Sequence, residues 1–252
     1  KMKKILFIFS ILIVSGISAQ TDSISMDSVK IDSVMNKDAL FNRPALFIGK
    51  LPISIGGYAE VNTSYTGTDG VTEGLQFQMR RFTLYTYTKL HYRLRFASEI
   101  EFEDGAKEIS IESAFLDLEL DPRLIFRGGI IVNPIGAFNQ NHDGPKWNFV
   151  DRPLSSTELI PTTWSNAGFG FHGKFYSGKS QVSYELYLSN GFDNNIIGND
   201  HNRTWLGASK DNMERFEENS NGRPLTTTRW AYKHPHRGET GVSWMGGVYN
   251  SF

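Results

Sequence analysis

The chain has 252 residues and a formal net charge of −1, so its charge gives no case for a nucleic-acid partner. It contains no cysteine, which excludes a disulfide scaffold and a thiolate metal site. Aromatic residues make up 13% of the chain, and 24 glycines stand against 9 prolines, a composition that favours strands and turns over helices.

The first 19 residues have the pattern of a secretory signal peptide. Three lysines at positions 1, 3 and 4 precede an apolar run, Ile5 to Val14, and a small-residue tail that ends at Ala19. A membrane anchor is the alternative, but the apolar run is well short of the ~20 residues that a spanning helix needs. We therefore predict export, with cleavage after Ala19. No long apolar run follows, which argues against a helical membrane protein.

Residues 20–50 are predicted to be a flexible periplasmic lead. The stretch from Gln20 to Arg43 is rich in serine and aspartate and poor in aromatics, so it can bury little apolar surface. A short, loosely held helix is the alternative. The remainder, residues 51–252, is predicted to be one β-structured unit.

Apolar and polar residues alternate through this unit with the period of a β-strand. From Phe82 to Phe102 the even positions are mostly apolar and the odd positions mostly polar or charged. At Arg80 and Arg81 the phase slips by one, because the apolar residues just before them are at odd positions. A β-bulge there would restore the register.

The spacing of the strands predicts an all-β fold, a transmembrane antiparallel β-barrel of the outer-membrane porin type. Connections alternate between tight turns and longer loops, as they do in such barrels, whereas a soluble β-sandwich need not place every long loop at one end. The predicted loops are 66–74, 104–108, 134–167 and 191–240. The predicted strands are 57–65, 75–88, 92–103, 109–120, 124–133, 168–176, 181–190 and the start of an eighth at 242–252.

Several short motifs between Arg80 and Asn194 resemble, in their order, the phosphate-selective porin O/P family. They are Arg80-Arg81-Phe82, Tyr92-Arg93-Leu94-Arg95-Phe96, Glu99-Ile100-Glu101-Phe102, Glu112-Ser113-Ala114-Phe115-Leu116-Asp117, Arg127-Gly128-Gly129, Asn133-Pro134-Ile135-Gly136 and Phe149-Val150-Asp151-Arg152-Pro153-Leu154. The resemblance implies an outer-membrane barrel of about sixteen strands. It also implies a homotrimer, small anions such as phosphate or other small solutes as cargo, and a third long loop that folds into the channel.

Seven strands and the start of an eighth are fewer than such a barrel needs, because a barrel of that size is filled by its own side chains. We therefore expect the protein to continue past Phe252 as a larger barrel. A small closed barrel is the alternative.

Two sets of charged residues are the candidate site. The odd face of the strands supplies the predicted pore-lining residues: Arg81, Lys89, Arg93, Arg95, Arg127 and Lys174. The loop 134–167 supplies the predicted constriction residues: His142, Asp143, Lys146, Asp151 and Arg152. A basic track would attract anions. Equally, the arginines could pair with acids on neighbouring strands and only hold the wall, and the loop could pack on itself through Trp147, Phe149 and Trp164.

No enzymatic site, cofactor or metal site is predicted. His234 and His236 could share a metal but lack a third ligand, and no ordered set of serine, histidine and acid is present.

The first hypothesis is a passive porin in the outer membrane of a Gram-negative cell, in contact with its lipid. The alternatives are a surface barrel for adhesion or membrane integrity, with the 191–240 loop as its binding part, and an outer-membrane hydrolase.

Overall fold

The computed structural model describes residues 7–11, 46–47, 53–147, 151–161, 163–219 and 222–249, which form an antiparallel β-sheet with little helix. The strands are β1 Phe7–Ile11, β2 Leu46–Phe47, β3 Ile53–Thr68, β4 Val71–Lys89, β5 Leu94–Glu103, β6 Glu108–Asp121, β7 Leu124–Val132, β8 Ser165–Ser177, β9 Ser180–Ser189, β10 Leu225–His234 and β11 Gly238–Gly246. One short helix, α1, spans Ala208–Asp211, and single 3-10 turns lie at Asn139–Asn141, Gly144–Lys146, Leu154–Ser156, Asn194–Ile196 and Met213–Phe216. The all-β, antiparallel prediction is confirmed.

Strands β3 to β11 follow one another in a simple meander, each pairing with the next along the chain. At one edge, β1 and β2 both pair antiparallel with β3, opposite residues 61–65 and 54–55. Among the described residues, β11 at the other edge pairs with β10 alone. The sheet is therefore open.

The connections divide the sheet into two unlike ends. The turn end carries the short β4–β5, β6–β7, β8–β9 and β10–β11 connections. The loop end carries the other four, including the two longest, residues 133–164 between β7 and β8 and residues 190–224 between β9 and β10. The prediction that the long connections share one end is confirmed for these two.

Two of the four predicted loops are wrong in extent. Strands β3 and β4 meet at Asp69 and Gly70, whose φ angles of 51° and 82° form the tight hairpin turn that an Asp-Gly pair favours. The predicted loop 191–240 contains all of β10 and the start of β11. Because of that extra strand, the meander has nine strands rather than the predicted seven or eight.

The predicted β-bulge is confirmed. Glu60 of β3 pairs with Arg81 of β4, but the next residue, Val61, pairs with Met79, so Arg80 is the extra residue. The bulge shifts the alternation of side chains by one residue, so the apolar residues before and after it lie on the same face of the sheet. As a result Met79 and Phe82 share the exposed face, while Arg81 is directed to the buried face with 2% exposure.

The two faces of the sheet are inverted relative to a soluble protein. Charged side chains such as Arg81, Glu101 and Arg127 are buried. Large apolar side chains on the opposite face, such as Phe169, Leu186 and others in β4 to β11, are exposed. A soluble sheet places its apolar face against a core and its charges in water.

The apolar core is small and lies at the loop end, between the two long connections. Its buried members are Ile135, Trp164, Phe192, Ile196, Ala208 and Leu225. The rings of Trp164 and Phe192 stack with centroids 5.9 Å apart. The core thus joins the β7–β8 connection to the β9–β10 connection.

The predicted signal peptide and lead lie largely outside the described residues, as does the cleavage site after Ala19. Of residues 1–50, the structure describes only β1 and β2. Within the part of the chain that is described, no helix is long and apolar enough to cross a membrane.

We predict that Gly129→Ala separates β6 from β7. Gly129 has a φ of 133°, and an added Cβ would lie 2.2 Å from the backbone oxygen of Ala114, so the backbone must move at a cost of roughly 3 kcal/mol or more. Gly178→Ala is the control, because Gly178 also has a positive φ but nothing lies within 4 Å of its added Cβ. Urea unfolding in detergent should show a much lower midpoint for Gly129→Ala than for the control. Equal midpoints would contradict the close approach of the two strands.

Candidate functional site at the charged face

The charged face of β3 to β7 is held together by ion pairs between neighbouring strands. Arg81 contacts Glu101 of β5 at 2.8 Å and Glu60 of β3 at 2.9 Å. The pairing register of β3 and β4 places Glu60 directly opposite Arg81, which brings these two charged groups together. Buried charges need such partners, since desolvation disfavours an isolated ion.

A second pair stands further along the same face. Asp117 of β6 and Arg127 of β7 are cross-strand partners, and the guanidinium donates two hydrogen bonds to the carboxylate, at 2.7 and 2.8 Å. The Arg127 guanidinium lies over the ring of Phe115, 3.9 Å from its centroid. The geometry is the bidentate form that makes arginine–carboxylate pairs strong and specific.

The six predicted pore-lining residues fall into two groups. Arg81, Arg95, Arg127 and Lys174 are buried on the charged face. Lys89 and Arg93 are exposed at the turn end. Arg93 was predicted to lie in a strand, but β5 begins one residue later because residues 90–93 form the β4–β5 turn. There its guanidinium lies over the ring of Tyr92.

The pairing of arginines with acids is seen for Arg81 and Arg127, and also for Arg95, which pairs with Glu119. This is the wall-holding role that the sequence left open beside anion attraction. It removes much of the net positive charge that a basic track would present.

The β7–β8 connection lies against this charged face and brings the five predicted constriction residues to it. Asp143 accepts a hydrogen bond from the Tyr85 hydroxyl at 2.7 Å. The His142 Nε2 atom is 3.2 Å from Glu99. Further along, Asp151 accepts a hydrogen bond from Arg80 at 2.6 Å. The connection is therefore fixed to β4 and β5 by several side chains rather than extending away from the sheet.

The remaining two constriction residues also have acidic neighbours. Lys146 donates to Asp143 at 2.6 Å, and Arg152 lies 3.9 Å from Glu103. Burial, together with the nearby Arg81 guanidinium, lowers the pKa of Arg152 from its usual value. The alternative of a loop packed on itself is seen in part, because Trp147 packs on Phe138 of the same connection. Phe149 lies outside the described residues.

A cavity of about 510 Å³ opens between the β3–β4 hairpin and this connection. Its charged lining residues are Arg80, Arg81, Arg152, Glu103, Asp104 and Asp151. Three basic groups face three acidic groups. The lining can therefore form polar contacts with both anions and cations.

Sequence reasoning missed the residues that hold the connection in place. The alternation places Tyr85 on the same odd face as Arg81, but nothing in the sequence around Tyr85 indicates that its hydroxyl contacts Asp143. Gln140 donates from its amide to both carboxylate oxygens of Glu185 in β9, at 3.0 and 2.8 Å. Such contacts join positions 45 residues or more apart in the sequence, so no local sequence pattern predicts them.

Comparison with known proteins gives limited information. No family model matches the chain, and no solved structure matches it. An uncharacterized protein of Aquifex aeolicus (strain VF5) is 34% identical over 149 residues, which is 56% of this chain and 33% of the relative. The chain thus spans about a third of that relative's length. The resemblance to the phosphate-selective porin O/P family stays a prediction.

We predict that Asp117→Asn destabilises the sheet by about 3 kcal/mol, because it removes the carboxylate charge that pairs with the buried Arg127 guanidinium. Asp121→Asn is a matched control, since Asp121 accepts two hydrogen bonds from the Arg123 guanidinium in solvent. Exposed pairs of this kind contribute little, so the control should unfold at the wild-type urea concentration. Equal destabilisation of both variants would show that burial of the Asp117–Arg127 pair has no special role.

Proposed function

We propose that this chain forms part of the wall of an outer-membrane β-barrel through which small polar solutes diffuse passively. The observation that carries the proposal is the inversion of the sheet: buried charge on one face and exposed apolar side chains on the other. In an outer-membrane barrel the apolar face meets lipid and the polar face surrounds a wet interior. The same inversion in water would leave a large apolar surface exposed.

The strand lengths support a membrane location. Strands β5, β9 and β10 each have 10 residues, and β7 and β11 have 9. A transmembrane β-strand tilted by about 45° needs about 9 to 11 residues to cross the hydrocarbon layer. These strands therefore suit the thickness of a bilayer.

Aromatic side chains at the turn end also support it. Tyr92 lies in the β4–β5 turn, Tyr176 precedes the β8–β9 turn and Tyr232 precedes the β10–β11 turn, and all three are exposed. The Tyr184 hydroxyl donates to the Arg123 carbonyl in the β6–β7 turn. Tyrosines at this level match the interfacial girdle of outer-membrane barrels, with an apolar ring and a polar tip.

In this proposal the β7–β8 connection is the constriction of the channel. Its contacts with Tyr85, Glu99 and Glu185 would hold it inside the barrel, where it limits solute size. Because the arginines of the wall are paired with carboxylates, we expect a weak preference between cations and anions. Phosphate selectivity, which the family resemblance implies, would need a lining in which basic groups outnumber acidic ones.

The open edges of the sheet support a larger barrel. Unpaired backbone groups cannot face lipid, so the free edge of β11, and those residues of β3 that β1 and β2 leave unpaired, must gain partners in a membrane. The Aquifex relative is about three times as long as the stretch matched here, which leaves room for further strands. Assembly as a homotrimer, also implied by the resemblance, belongs to the same proposal.

The adhesion alternative has lost part of its support. It depended on residues 191–240 as one long surface loop, but 225–234 form β10 and residues before them join the apolar core. No described contact favours a hydrolase.

We predict discrete conductance steps when the full-length protein is inserted in a planar lipid bilayer. Reversal potentials measured in a salt gradient should show a permeability ratio of anions to cations within about threefold of unity, because the wall charges are balanced. A protein that inserts but never conducts would favour the adhesion or integrity role. Strong block by phosphate would instead support the anion-selective form.

A loop variant tests the constriction directly. Replacing residues 140–147 by a Gly-Ser linker should raise the single-channel conductance, because the replaced residues include those that cross the charged face. The same replacement of residues 199–203, in the β9–β10 connection at the exposed surface, should leave the conductance near the wild-type value. Unchanged conductance in the first variant would place the constriction elsewhere.

A further inference from the structure

Three buried side chains, Glu99, His142 and Asp143, bring potential metal-ligand atoms within 4.8 Å of one another. Glu99 comes from β5, while the other two are consecutive in the β7–β8 connection. Their exposed fractions are 1% or less. They are the only such group among the described residues.

A hydrogen bond at Nδ1 fixes the orientation of the His142 ring. His142 Nδ1 lies 2.7 Å from the backbone oxygen of Asn139. Since a carbonyl oxygen only accepts, Nδ1 must carry a proton and donate it. Asn139 is itself held rigidly, because its side chain donates to the backbone oxygens of Asn133 and Trp164 and accepts from the Trp164 backbone N–H.

This leaves Nε2 facing a carboxylate oxygen of Glu99 at 3.2 Å. With Nδ1 protonated and the ring neutral, Nε2 is an acceptor, as is a carboxylate oxygen. A proton, carried by the ring or by the Glu99 carboxyl, or a metal ion must therefore lie between the two atoms. A ligating histidine characteristically donates its other ring N–H to a backbone carbonyl. Asp143 adds a second carboxylate, oriented by the Tyr85 hydroxyl, and Tyr85 is the cross-strand partner of Glu99.

We propose that Glu99, His142 and Asp143 bind a divalent transition metal ion, with Zn²⁺ the best match, and that the ion fastens the β7–β8 connection to β5. One imidazole and two carboxylates suit Zn²⁺ better than Ca²⁺ or Mg²⁺, which prefer all-oxygen sites. Two buried carboxylates this close repel each other, and a dication relieves that repulsion. The proposal is independent of solute passage.

Lys146 is the competitor for this site. Its ammonium group donates to Asp143 Oδ2 at 2.6 Å, and its side chain is 22% exposed. The flexible stem of lysine allows the ammonium to move into solvent when an ion binds. Removing this amine should therefore tighten metal binding.

The test is titration of the full-length protein in detergent with Zn²⁺ alone, followed by calorimetry and by metal analysis after dialysis. We expect one Zn²⁺ per chain. His142→Ala, Glu99→Gln and Asp143→Asn should each weaken binding at least tenfold, while Lys146→Met should strengthen it severalfold. His172→Ala is the matched control, because His172 is also buried and 3.5 Å from the Asp117 carboxylate but is not part of the three-residue group.

The outcomes separate the metal from a protonated His142–Glu99 ion pair. Absence of Zn²⁺ binding in both the wild type and Lys146→Met would overturn the proposal and leave the ion pair. Binding that His142→Ala and His172→Ala reduce equally would also overturn it. Lys146→Met keeps the test decisive if the His142→Ala chain fails to fold, since it keeps all three proposed ligands and removes only the amine that contacts Asp143.

Discussion

Burial of charge is the constraint on which the rest of this structure depends. Strands β3 to β7 place charged residues such as Arg81, Glu101 and Arg127 on one buried face, and a buried ion needs a counter-ion close by. Arg81 meets Glu60 and Glu101, and Arg127 meets Asp117. Register is therefore specified by charge on one face and by the apolar pattern on the other, and a one-residue slip would break both.

The long β7–β8 connection depends on the same face. A connection of this length, whose described residues form only single 3-10 turns, needs side-chain contacts to stay in one place. Here the charged face supplies them through Tyr85, Glu99 and Glu185, while the apolar core anchors the last residues of the connection through Trp164. The charged face thus both pairs the strands and docks the connection, and the channel and metal proposals both start from that docking.

Much of the sheet could be predicted because period-two alternation is a local signal. The phase slip at Arg80 even located the bulge. Strand β10 was missed because its inward positions include Leu225 and Ala231 while Thr226 and Thr228 are on the opposite side, which blurs the alternation. The Asp69-Gly70 hairpin could have been found from its dipeptide. The group formed by Glu99, His142 and Asp143 could not, because it requires knowing how the connection folds back.

The most direct test of the inverted sheet is nitroxide labelling at two adjacent positions of β9, and the 252 residues contain no cysteine that would compete for the label. Leu188 is on the exposed apolar face and Ser189 is buried on the other. In lipid vesicles, a label at Leu188→Cys should be relaxed strongly by oxygen and weakly by a water-soluble nickel complex, and a label at Ser189→Cys should not share this preference for oxygen. A label at position 188 that the nickel complex reaches as readily as oxygen would contradict contact of that face with lipid.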